Sequence, residues 1–131
     1  MDNNNTNKNI TPNDTGLDIR VTALLIRLGI NACSKGYSYL RCAIMQAYNE
    51  PESAIYVTKT LYPRVARKCK APSICAVERS CRHAIQSAFN DCDNSEFEEI
   101  FGLSATECPT CSVFIRGAAD YLHQEDETDY L

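Results

Sequence analysis

Apolar residues recur along this chain at three- and four-residue steps and nowhere alternate at period two, so the ordered segments read as helices. Ile19, Val21, Leu24, Leu25 and Leu28 give a first apolar face over 17–28, and Gly29 follows as a stop signal. Ser34 opens a second helix lined by Tyr37, Leu40, Ala43, Ile44, Ala47 and Tyr48, which Asn49, Glu50 and Pro51 end. A third stretch begins near Glu52 and carries Ile55, Val57, Leu61 and Tyr62 inward, with Pro63 either kinking it or standing as the first residue of a new helix. A turn over 70–72 leads to Ser73, the expected cap of a longer helix in which Ile74, Val77, Cys81, Ile85 and Ala88 form one apolar stripe. Ser95 and Glu98 have capping-box spacing for a short helix ending near Gly102. Thr110 or Ser112 then caps a last helix through about His123, with Phe114, Ile115, Ala118, Ala119 and Leu122 inward. The expectation is an all-α fold of about six helices with a central helix-turn-helix over 61–89. It occupies 17–124, between an Asn-rich tail over 1–16, too polar to offset its ordering entropy, and an acidic tail over 125–131 expected to fray.

The other side of the 73–89 helix carries the candidate chemistry. Cys75, Arg79, Arg82 and Gln86 make a second row at helical steps, with His83 beside it and Glu78 on the border. Guanidinium groups in such a row can pair with guanine O6 and N7, and a carboxylate can accept from cytosine N4, if the helix enters a DNA major groove. The same pattern describes a solvated face, since Glu78 and Arg82 stand at i and i+4 as a surface ion pair would. Periodicity leaves both readings open. Arg64, Arg67, Lys68 and Lys70 crowd the preceding short helix, where a helix crossing the DNA backbone would bring them to phosphates; Lys35 is a further phosphate candidate on charge and position.

Net charge first argues the other way. The 131-residue chain carries −4, which is unfavourable for a nucleic-acid partner only if evenly spread. It is segregated: residues 20–89 hold eleven Lys and Arg against three acids, while 90–131 hold Arg116 against eleven acids. The basic segment is the one that contains the helix-turn-helix. Length suits one domain, no apolar run approaches a membrane span, and the polar start lacks a signal-peptide core, so a cytoplasmic protein without a membrane partner is expected. No glycine-rich phosphate loop or paired catalytic carboxylates occur, and His83 beside two arginines reads as a DNA contact rather than a base, so no enzyme and no cofactor are expected. Of eight cysteines, Cys108 and Cys111 have C-x-x-C spacing, a weak metal or redox signal without a second pair or clustered His; the other reading is incidental.

Several words of this sequence are more specific than its periodicity. They are Lys35-Gly36-Tyr37 with Tyr39-Leu40-Arg41 and Ala43-Ile44, Leu61-Tyr62-Pro63, and Val77-Glu78-Arg79 with Arg82-His83-Ala84-Ile85. Phe101-Gly102 and Pro109-Thr110 before Ser112 and Phe114-Ile115 continue them. In this order, over about 18–122, the chain resembles the C-terminal effector domain of stage zero sporulation protein A, the response regulator family of endospore-forming Firmicutes. The resemblance implies a six-helix domain binding double-stranded DNA of the type TGTCGAA, two copies lying head to tail on tandem sites. It matches Glu78 and Arg79 to the family's base-reading pair and Arg82 and His83 to its next pair along the helix. Three departures stand out: Ala71-Pro72-Ser73 make a turn about one residue longer, Cys75 and Ala76 lack polar reach, and no receiver module precedes residue 17. Phosphorylation-driven dimerisation is therefore not the expected switch. The competing expectation is a protein-interaction module of the same fold with little DNA affinity, modulating a full-length sporulation regulator through its acidic end.

Overall fold

A computed structural model describes residues 12–91, 94–102 and 106–129, and among them the chain forms six α-helices and no strand. They are α1 (Pro12–Arg27), α2 (Lys35–Asn49), α3 (Tyr62–Cys69), α4 (Ile74–Asp91), α5 (Ser95–Phe101) and α6 (Cys111–Asp129). The all-α expectation holds. The Asn-rich stretch over 1–11 lies outside the described residues.

Helix α2 is the hub: it packs against α1, α3, α4 and α6. Its start follows local chemistry, because Ser34 Oγ accepts the Tyr37 N–H at 3.1 Å and satisfies one orphan donor of the first turn. Leu40, Ala43, Ile44 and Ala47 are buried as the period requires, joined by Tyr39. Between α2 and α3 the chain makes a 3-10 turn (Pro51–Ala54) and then a wide turn over Val57–Leu61, in which the Tyr62 N–H reaches back to the Val57 carbonyl. The widening has a cause one residue on: Pro63 offers no N–H, and its ring would strike the carbonyl four residues back. Pro63 is thus the second residue of a new helix rather than a kink in an old one.

Several expectations are corrected. Helix α1 starts at Pro12, ahead of the Leu17 start, so part of the supposed tail is helical. Ile19 is 65% exposed: it stands two residues from Val21, some 200° around a helix, off the face formed by Leu17, Val21, Leu24, Leu25 and Leu28. Ile55 is 57% exposed because it follows a 3-10 turn, where helical periodicity no longer applies. Ile74, the first residue of α4, lies a turn beyond the edge of the core and is 38% exposed. The cap of α5 is Asn94, not Ser95, and Gly102 ends it at φ 68°. Thr110 caps α6, its Oγ1 accepting the Val113 N–H at 3.2 Å. That helix runs on to Asp129 instead of fraying at 125. Arg20 holds its end through Asp126 (2.9 Å) and Glu125 (3.8 Å), and His123 stacks on Tyr48 with centroids 3.9 Å apart. The acidic end therefore engages α1 and α2. No helix of the described residues is long and apolar enough to cross a membrane.

Candidate nucleic-acid interface

The two helices of the motif meet through a turn with a defined chemistry. Helix α3 ends with Lys70 in the left-handed region (φ 56°, ψ 44°). The Ala71 N–H donates to the Ala66 carbonyl at 2.9 Å and the Lys70 N–H to Arg67 at 3.4 Å, the paired bonds of a Schellman closure. Among the described residues Lys70 is the one non-glycine with positive φ. Three residues later Ser73 caps α4, its Oγ accepting the Ala76 N–H at 3.0 Å.

Helix α4 separates its faces cleanly. Val77, Cys81, Ala84, Ile85, Ala88 and Phe89 are buried, whereas Cys75, Arg79, Arg82, His83 and Gln86 are exposed and Glu78 lies half-buried between them. The predicted outward row is therefore brought together on one surface. Within it, Arg82 donates to Glu78, and this bond with the carboxylate's charge holds the guanidinium pKa above its ordinary value. Arg79 differs: among the described residues no ion pair engages it, nor Lys35, Arg67, Lys68 or Lys70. Arg64, grouped with the phosphate cations on sequence, is turned to Glu50 instead.

What seats α4 is a residue the periodicity did not flag. A Cβ on Gly36 would stand 2.4 Å from the Ser80 carbonyl oxygen and 2.6 Å from Ala84 Cβ, so α2 and α4 cross nearly backbone to backbone there. The only advance signal is a glycine at the second position of a helix, where no positive φ calls for it and its missing Cβ instead admits a close neighbour. The crossing places Lys35, next to Gly36 and at the positive N-terminus of α2, beside the middle of α4.

The C-x-x-C thiols face different carbonyls. Cys108 Sγ faces the Pro109 carbonyl at 3.6 Å, while Cys111 Sγ lies 4.0 Å from the Glu78 carbonyl of α4. Burial pushes both thiols up, and among the described residues no group of three or more potential ligands assembles around a metal position. Cys111 instead sets the start of α6 against α4.

Residues 21–122 match the family model described as sporulation initiation factor Spo0A C terminal. The chain belongs to this family. Spo0A C-terminal domains are DNA-binding effector domains of response regulators that act on transcription in sporulation, a role distinct from that of an enzyme. The match spans all of α2, α3, α4 and α5 and enters α1 and α6, so it contains the whole crossing of α2 and α4 as well as the motif.

Proposed function

We propose that this Spo0A C-terminal domain is a sequence-specific regulator that reads a TGTCGAA-like duplex with α4. The observation that carries this is Arg79, exposed and outside every ion pair of the described residues, midway along a face whose opposite side is core. Arg79 would take a guanine edge, His83 and Gln86 neighbouring base edges, and the Glu78–Arg82 pair a step in which carboxylate and guanidinium read together. Lys35, Arg67, Lys68 and Lys70 would take phosphates on either side. Two copies would lie head to tail on tandem sites. Fluorescence anisotropy with a TGTCGAA duplex and a scrambled one, over a salt series, tests the reading. A clear preference that weakens steeply with salt is expected, with Arg79→Ala losing about 1–3 kcal/mol of it. Equal binding to both duplexes at low salt overturns it.

One observation favours a second reading. The Glu78–Arg82 bond occupies two of the reading side chains, and Cys75 and Ala76 give the first turn no polar reach. A domain using this fold to contact a full-length sporulation regulator would keep the helices and show no duplex preference.

A further inference from the structure

Helix α1 has two apolar faces, and its own chain covers only one. Leu17, Val21, Leu24, Leu25 and Leu28 form the buried face, while Ile19 and Ile26 stand 65% and 58% exposed on the other. Gly16 and Ala23, also exposed, complete that second face, so Gly16, Ile19, Ala23 and Ile26 follow one another at steps of three and four along a single stripe. Gly16 has no reason within this chain. It lies in a helix, where glycine is destabilising relative to alanine, its φ is not positive, and a Cβ added there meets nothing within 4 Å. A helix glycine of this kind suits the close approach of a backbone from outside the chain.

We propose that this stripe is a contact between two copies of the chain, their α1 helices antiparallel and related by a two-fold axis level with residue 21. The order of side-chain sizes carries the proposal. Reversing the stripe about residue 21 sets Ile19 against Ala23 of the other copy and Ile26 against its Gly16, and the symmetry repeats both pairs. Every large side chain meets a small one, as a knob meets a hole. A parallel pairing in register opposes isoleucine to isoleucine and glycine to glycine instead. Charge agrees with the antiparallel arrangement. Arg20 lies beside the centre, where two copies bring two arginines together; Asp126 takes its charge at 2.9 Å, and exposed Glu125, at 3.8 Å, is placed to share the arginine of either copy. A contact made by one helix is small for a protein interface, so the association is weak and depends on concentration. It is isologous, and so distinct from the head-to-tail arrangement on tandem DNA sites.

Sedimentation velocity of the full chain without DNA, under reducing conditions and over a concentration series, tests the contact. Reversible dimer formation is expected. Gly16→Leu fills the place of the opposing Ile26 and should weaken association about tenfold or more, with helix content by circular dichroism not reduced because the site is open in the single chain. Ala23→Ile should weaken it likewise, since Ile19 then meets an isoleucine. Combining Ile19→Ala with Ala23→Ile exchanges knob and hole and should restore the dimer. A monomer at every concentration overturns the proposal. So does a dimer that Gly16→Leu and Ala23→Ile leave unchanged, which places the contact elsewhere, and so does one that Ala23→Ile strengthens, which makes the stripe an unspecific apolar patch. Duplex preference enters none of these readouts, so the result stands apart from the DNA reading.

Discussion

Two arginines one turn apart on α4 have different availability. Arg82 is bound to Glu78, whereas Arg79 meets no acid among the described residues. An exposed pair of this kind contributes little to stability, so its weight falls on recognition: DNA must either accept the pair as a unit or separate it. Glu78→Gln separates it in advance. The expected outcome is stronger low-salt binding to both specific and scrambled duplexes, with a steeper salt slope by about one charge and a smaller preference between them, read by anisotropy. A second residue-scale expectation concerns the thiols. Cys42 has an ordinary value of 9.0 and is pushed up to about 11 in the folded chain, chiefly by burial. Below that ordinary value folded and unfolded forms are both protonated and the contribution is intact. As pH rises the unfolded thiol ionises first, so stability falls between about pH 9 and 11. Burial pushes Cys81 and Cys111 the same way. Urea midpoints across that range should decline, and Cys42→Ser should flatten part of the decline.

At the scale of elements, the placement of α4 depends on one turn and one crossing. In the turn, Lys70 holds a conformation that costs a residue with a Cβ about 1–2 kcal/mol, while glycine adopts it freely. Lys70→Gly should therefore raise unfolding free energy by about 1 kcal/mol, the looser unfolded chain offsetting part of the relief. If Lys70 also holds a phosphate, Gly and Ala variants alike lose about one unit of salt slope, although only Gly gains stability. At the crossing, Gly36→Ala forces a methyl against the Ser80 carbonyl and Ala84. Neither backbone nor Cβ can swing aside, so the helices must separate. A loss of about 1–3 kcal/mol by denaturation is expected, together with a fall in duplex preference larger than Ala substitution at the neighbouring Lys35 produces. The two variants together separate a stiffer turn from a displaced helix.

For the whole molecule, segregated charge becomes an arrangement of surfaces. Acids from α5 and α6 hold arginines of α1: Arg27 bonds Glu96, Glu99 and Tyr121, and Arg20 bonds Asp126 and Glu125. The negative end is thereby engaged away from the motif, and Arg67, Lys68, Lys70 and Arg79 keep their charge for a partner. Much of this molecule could be read from its sequence. Helix periods marked Val77, Cys81, Ile85 and Ala88 as core and Arg79, Arg82, His83 and Gln86 as surface, because solvent and core impose a 3.6-residue pattern wherever a helix lies between them. Caps at Ser34 and Ser73 were legible, and the last was narrowed to Thr110 or Ser112, because caps act within three residues. The sequence by itself thus determined the helices, the motif and the outward row, all of which arise from short-range backbone chemistry and the sorting of apolar from polar groups. Only the tertiary structure decided that Gly36 sets the approach of α2 to α4, and that Arg20 and Arg27 of α1 take up acids of α6 and α5. Those outcomes depend on which helices pack together and how closely, distances that residues far apart in the chain acquire only when the core closes.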